Sequence, residues 1–296
     1  MTAAIDWSNA LAQVVERAAS SVVRVEPQRG RSGSGTVWSA DGLIVTTAHR
    51  VDAESKVTVG LADGATHEAA VVGVDPGTDL ALLRVEGLAL QPLAFAPGNT
   101  SKVGHLAVAL GRPGRSIRAS LRMIGVIGED VRTATGGRLE RYIESDRAIP
   151  RGFSGGPLVD LEGRAIGIDT SGLVRGADLA IPRETIERVV RDLLAHGTVR
   201  RGYLGVGAYP VRLPAAIAAQ VGRDRGALIV AVEEGSPAAT AGLFQGDVIL
   251  DIDGTSVASP GELRAVLSDR EDRQVKVRIV RAGGVQEISA TVGARG

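Results

Sequence analysis

A chain of 296 residues, 44% hydrophobic but only 3% aromatic, has enough apolar material for two or three modules and must build its cores from Val, Leu, Ile and Ala. Its 34 basic and 34 acidic side chains cancel, so no overall field favours nucleic acid or an anionic membrane surface. The absence of cysteine excludes disulfides, thiol chemistry and Cys-ligated zinc. Short apolar runs punctuated by 39 Gly and 12 Pro point to a mostly β protein of many strands and tight turns.

In chain order, Leu11, Val14, Val15 and Ala18 recur at helical spacing, which predicts an amphipathic helix over residues 6–19 capped by Asp6 or Ser8, within an N-terminal segment 1–20. The stretch from Met1 to Arg24 lacks the charged start and continuous apolar run of a signal peptide, and no window approaches the roughly 18 apolar residues of a membrane span. As written, the chain reads as cytoplasmic; a trimmed export signal would make it periplasmic or otherwise extracytoplasmic. Residues 21–197 form the next module. Strand-like runs at 43–47, 56–61, 80–85, 105–110, 121–127 and 165–168 alternate with Gly, Pro and Asp turns and fit two packed barrels of about six strands each. Within it, Arg112, Arg115, Arg118 and Arg122 make a local basic cluster. With no interleaved aromatics it reads as a solvated loop and strand rim.

A second amphipathic helix is predicted over 183–195, with Gly197 ending it. Residues 198–201 read as a linker, and 202–296 as a compact last module in which Ser259-Pro260-Gly261-Glu262 announces a helix.

The chemistry gathers at Gly152-Phe153-Ser154-Gly155-Gly156-Pro157, where a serine between glycines can present its hydroxyl while nearby backbone N–H groups converge. Upstream, His49 can take the serine's proton and return it to a leaving amine, and Asp79 can fix the imidazole tautomer. The order His, Asp, Ser is that of chymotrypsin-type double barrels. The same serine segment also satisfies Gly-x-Ser-x-Gly, the α/β-hydrolase elbow, with Asp178 and His196 following in that fold's order. An elbow requires a helix after the serine, however, and here a Gly-Gly-Pro turn and strand-like residues follow. His196 suits the C-terminal end of a helix; His67 and His105 have no partner at metal-ligand spacing and read as surface or barrel residues.

Ser34-Gly35-Thr36-Val37, Asp41 to His49, Asp79-Leu80-Ala81-Leu82-Leu83 and Ser154 to Val159 resemble, in order, the active-site blocks of bacterial HtrA/Deg serine proteases, and the similarity continues through Ile166–Thr170 and Leu179–Pro182. Gly202 to Val206, Ser236 to Leu243 and Gly246 to Gly254 resemble a PDZ domain. The resemblance implies a chymotrypsin-like double β-barrel followed by a PDZ domain, a β-sandwich with two helices. It implies His49 as general base, Asp79 as orienting acid and Ser154 as nucleophile, with Gly152 and Ser154 N–H groups as the oxyanion hole. It places Ala148, six before the nucleophile, near the floor of the substrate pocket and Arg151 near its rim, so that small or medium aliphatic side chains are favoured. Tyr203, Leu204, Gly205 and Val206 would receive a peptide's terminal carboxylate. The implied activity is ATP-independent cleavage of unfolded or damaged proteins, often by trimers, without metal or cofactor. Two features depart from the family: Pro150-Arg151-Gly152-Phe153 replaces its usual Asn-Pro-Gly-Asn, and the loop after Thr170 is shortened. Phe153 and the arginines around it leave as the alternative a catalytically silent, protease-like scaffold that binds peptides.

Overall fold

The computed structural model describes residues 2–51, 56–98, 100–133, 137–174, 177–268 and 270–295. The chain divides into two compact units, the first ending at Val199 and the second running from Arg200.

The first unit opens with helix α1 (Thr2–Ala19). The helix begins four residues before the predicted start because Thr2-Ala3-Ala4-Ile5 continues it, so Asp6 and Ser8 lie inside the helix and not at its cap. Val14 and Ala18 are buried, whereas residues 4–10 are all exposed. Strands β1 (Val22–Pro27), β2 (Gly33–Val37), β3 (Leu43–Thr46), β4 (Val57–Gly60), β5 (Thr66–Asp75) and β6 (Leu80–Arg84) close in the order β1-β2-β3-β6-β5-β4. Strands β7 (Leu106–Gly111), β8 (Arg118–Arg132), β9 (Arg138–Ser145), β10 (Pro157–Val159), β11 (Ala165–Val174) and β12 (Ala177–Ile181) close a second barrel in the order β10-β11-β12-β9-β8-β7.

The alternation of apolar residues explains both closures, since every second side chain of a barrel strand must point inward. Val23, Val25, Ile44, Val57, Val59 and Leu83 fill the first interior. Ala107, Ala109, Ile124, Ile143 and Leu158 fill the second. Helix α2 (Arg183–His196) lays Ile186, Val189, Val190 and Leu193 on a third cluster drawn from both barrels, which includes Leu43, Leu82 and Ile181. Each such fully buried side chain contributes about 1.5–3 kcal/mol. The helix stops at Gly197, whose left-handed φ of 73° lets its N–H reach Leu193 O.

The predicted solvated rim is half right. Arg115 and Arg118 are exposed, but Arg112 and Arg122 are only 4% and 2% exposed. The guanidinium of Arg112 donates to Val22 O (2.7 Å), Arg115 O (2.8 Å) and Ala19 O (2.9 Å), and so satisfies the last carbonyl of α1. Arg122 donates to Arg147 O and Ala148 O, both at 2.8 Å. Burial lowers the pKa of both guanidiniums, but the shift starts so high that they stay charged; carbonyl oxygens replace the lost water, except at Arg122 Nε, which has no partner among the described residues.

In the second unit, β13 (Arg201–Tyr203) pairs with β20 (Gly293–Arg295). The strands β14 (Val206–Arg212), β15 (Arg225–Val232), β16 (Val248–Ile252), β18 (Gln274–Arg281) and β19 (Gly284–Thr291) form a sheet in that order, with β17 (Thr255–Ser256) on β16. Helices α4 (Pro237–Ala241) and α5 (Pro260–Leu267) cover a core that includes Leu204, Ile229, Ile249, Leu263 and Ile279. Ser259 Oγ accepts the Glu262 N–H as the sequence predicts, while Glu262 Oε2 takes the N–H of Ala258 (2.7 Å). One further helix, α3 (Ala215–Val221), was not foreseen; its alanine-rich run between Pro214 and a left-handed Gly222 accounts for it.

Candidate active site and peptide groove

The imidazole of His49 sits on a single 3-10 turn (Ala48–Arg50) after β3. Its partner Asp79 is placed by the turn between β5 and β6. There the buried Asp75 carboxylate accepts N–H groups of Gly77 (3.0 Å) and Thr78 (3.3 Å) and the Thr78 hydroxyl (2.7 Å). This turn leaves Asp79 at φ 56°, a left-handed conformation that Asp tolerates better than most residues. Asp79 Oδ2 lies 2.7 Å from His49 Nδ1, and Oδ1 accepts the His49 main-chain N–H at 2.8 Å. Both ring angle and tautomer are thereby set, with the proton on Nδ1 and Nε2 left as the acceptor. Thr170 also donates its hydroxyl to Asp79 Oδ2.

Ser154 is buried to 2% exposure on the loop before β10. That loop is held by β2: Ser34 Oγ donates to Gly152 O (2.7 Å), Ser34 N to Ser154 O (3.2 Å) and Thr36 Oγ1 to Gly155 O (3.0 Å). Only glycine fits at 155, where φ is 89° and a Cβ would lie 2.0 Å from Ser34 O. Phe153 N–H donates to Pro150 O (3.0 Å), Gly155 N–H to Asp169 O (2.8 Å) and Gly156 N–H to Phe153 O (2.7 Å). Among the described residues, the N–H groups of Gly152 and Ser154 have no protein acceptor. Two free donors flanking a buried hydroxyl can receive a developing negative charge.

Three consecutive residues of β11 bind the constellation together. Thr170 touches Asp79, Ser171 Oγ lies 3.1 Å from Ser154 Oγ, and a Cβ on Gly172 would be 2.6 Å from both Asp79 Oδ2 and His49 Nδ1. Position 172 must therefore lack a side chain. Beneath the nucleophile loop, Asp169 exchanges backbone bonds with Gly155 and Gly156, and its side chain is buried with Oδ2 unpartnered. Burial pushes the Asp169 carboxyl up to about 8; nearby Arg122 offsets part of the rise and Asp178 adds to it.

In the second unit a cavity of about 410 Å³ is bordered by Tyr203, Leu204, Gly205, Val206, Leu263 and Leu267. Among the described residues, the N–H groups of Leu204 and Gly205 have no protein acceptor, and β14 is the edge strand of its sheet. Free donors beside an open strand edge and an apolar hollow are the parts needed to hold a chain terminus by strand addition.

The trypsin-like peptidase domain family matches residues 33–168 and the PDZ domain family residues 228–281. Among solved structures, the HtrA-type protease AlgW with tripeptide is 31% identical, with a TM-score of 0.69 over 97% of each chain. The chain belongs to the HtrA/Deg family of serine proteases. The serine endoprotease from Yersinia pestis is 27% identical, with a TM-score of 0.71 over 97% of this chain and 98% of that one. A probable periplasmic serine endoprotease, DegP-like, of Chlamydia pneumoniae is 37% identical over 278 residues, 91% of this chain and 57% of the relative. A DegP-like relative from Brucella suis is 35% identical over 271 residues, 88% of this chain and 52% of the relative. The chain thus spans about half the length of these curated relatives.

Within this HtrA fold the α/β-hydrolase reading is excluded: Ser154 leads into strand β10, not a helix, and Asp178 Oδ2 accepts the Ile149 N–H (2.5 Å). His196 is the last residue of α2, His67 is half-buried on β5 and His105 is exposed. Phe153 is buried in the second barrel interior, 2% exposed, and packs on the backbone of Gly111. Ala148 and Arg151 are both exposed, and the Ala148 carbonyl is one of the two that Arg122 holds. Sequence reasoning assigned no roles to Ser34, Thr36, Thr170, Ser171, Gly172 or Asp169. The run Asp169-Thr170-Ser171-Gly172, polar within an otherwise apolar strand, was the available signal.

Proposed function

We propose that this chain is a serine endopeptidase that cuts unfolded or damaged polypeptides without ATP, with Ser154 as nucleophile, His49 as general base and Asp79 as its orienting carboxylate. The reading rests above all on the way residues 170–172 gather Asp79, Ser154 and His49 around one point. In the reaction Ser154 Oγ bonds to the scissile carbonyl carbon while its proton passes to His49 Nε2. The carbonyl oxygen takes the negative charge and is received by the Gly152 and Ser154 N–H groups. Collapse of this adduct breaks the C–N bond, and His49 returns the proton to the leaving amine. Water, deprotonated by His49, then releases the acyl group and restores the serine.

A fluorophosphonate probe followed by peptide mass spectrometry tests this directly. An adduct on Ser154 alone is expected, because phosphonylation requires an activated serine; an unlabelled protein would favour the silent scaffold.

The second unit is proposed to capture peptide C-termini ending in an apolar residue, with the terminal carboxylate on the Leu204 and Gly205 N–H groups and the last side chain in the adjoining cavity. The AlgW structure, a complex with a tripeptide, accords with this reading. In calorimetry, a peptide ending in Val is expected to lose at least about tenfold in affinity when its C-terminus is amidated, since a charged hydrogen-bonded group is lost. Equal binding of the two forms would reject carboxylate capture. The relatives' names place them in the periplasm and lend no support to a cytoplasmic site of action. Cell fractionation would show whether the same holds here.

A further inference from the structure

The Ser154 hydroxyl is not poised on the imidazole. Among the described residues its hydrogen-bond partner is Ser171 Oγ, at 3.1 Å, although the His49–Asp79 pair is fully assembled beside it. Ser171 is exposed and hydrogen-bonds through its side chain to nothing else described, so this contact is the evident use of its hydroxyl. Its position is fixed by its neighbours: Thr170 is tied to Asp79, and Gly172 N–H donates to Thr170 Oγ1 at 3.0 Å. The hydroxyl is thus presented to Ser154 from a backbone whose neighbours on both sides are hydrogen-bonded.

We propose that Ser171 is a latch on the nucleophile, a positioning residue whose hydroxyl holds that of Ser154 in a resting orientation and must be released before Ser154 can give its proton to His49. The inference rests on the serine-protease reading above. If Ser154 donates to Ser171, the proton needed by His49 is already engaged. If it accepts, its proton and second lone pair stay free, so the latch is the arrangement in which Ser154 donates. One neutral hydrogen bond must then be exchanged before attack, which makes the latch a brake of modest size. A polypeptide settling over the exposed face at Ser171 and Gly172 would compete for the Ser171 hydroxyl, so that occupancy of the site itself would lift the brake.

The test uses the full chain and the rate of phosphonylation by a fluorophosphonate, alongside hydrolysis of a small chromogenic ester. Ser171→Ala is expected to raise the phosphonylation rate about three- to tenfold and to raise kcat for the ester with KM unchanged. Ser171→Thr keeps the hydroxyl and is expected to react as wild type does, which separates the latch from a mere packing effect. A Ser171→Ala protein that reacts no faster than wild type, or an acceleration shared by Ser171→Thr, overturns the latch. Should neither wild type nor Ser171→Ala be labelled at Ser154, the protease reading falls, and the latch with it. Normal wild-type labelling without acceleration in the alanine variant removes the latch alone.

Discussion

Replacing Asp79 with asparagine is expected to slow casein hydrolysis by about 10⁴-fold, and replacing His49 with alanine by at least as much. The Asp79 carboxylate takes the Nδ1 side of the ring on Oδ2 and the His49 main-chain N–H on Oδ1, so both oxygens must be acceptors. An asparagine that keeps its oxygen on the main-chain N–H turns its NH2 group toward Nδ1. The ring then has to carry its proton on Nε2, where it cannot accept one from Ser154. The fold should be little disturbed, because Asn is close in shape and tolerates the left-handed backbone at 79. Turnover of casein by the purified variants, with circular dichroism to verify folding, checks both losses. Residual activity within tenfold of wild type in a folded His49→Ala would remove the general base from this account.

Asp169→Asn is expected to raise stability. The carboxyl is 3% exposed with Oδ2 unpartnered, and burial, partly offset by Arg122 and increased by Asp178, pushes its pKa from 3.8 up to about 8. The folded state therefore holds a proton that the unfolded chain releases above about pH 4. The stability tied to that proton is fully present below pH 4 and is lost progressively as pH rises toward 8. Above 8 the folded state must carry a buried anion. Asparagine has nothing to ionise. Its advantage should be near zero at pH 4, grow through the window and reach about 2–4 kcal/mol near pH 8, or several degrees in Tm. Thermal unfolding of both proteins at pH 4, 6 and 8 reads this out. A difference independent of pH, or a less stable variant at pH 8, would show that the carboxyl is not a proton-holding group.

The parts of the site visible in the sequence are those whose chemistry restricts residue type. The proposed nucleophile has flanking glycines, in Ser154-Gly155-Gly156; the proposed base and its carboxylate, His49 and Asp79, stand at strand ends. The proposed groove of the second unit is legible for a similar reason, because free backbone donors go with the turning Leu204-Gly205 step. The supporting shell was not visible. Ser34 reaches Gly152 across 118 residues, and Thr170 reaches Asp79 across 91, and both contacts join the first barrel to the second, so only the packing of the two barrels brings them together. Arg112 and Arg122 were misread because a cation near a turn ordinarily faces water. Here the unpaired carbonyls at the end of α1 and at Arg147–Ala148 draw the guanidiniums inward, and no local pattern announces those carbonyls. The early start of α1 is a smaller error of the same kind, in which helix propensity at Thr2–Ile5 outweighed the capping preference of Asp6 and Ser8.

The central claim is that Ser154 and His49 act as one catalytic unit, and the double variant Ser154→Ala/His49→Ala measures this most directly. If they form one unit, either single change already removes the acyl-transfer route, and adding the second should cost casein hydrolysis less than about tenfold more. Losses that multiply across the two substitutions would show that the residues act independently and would contradict the triad.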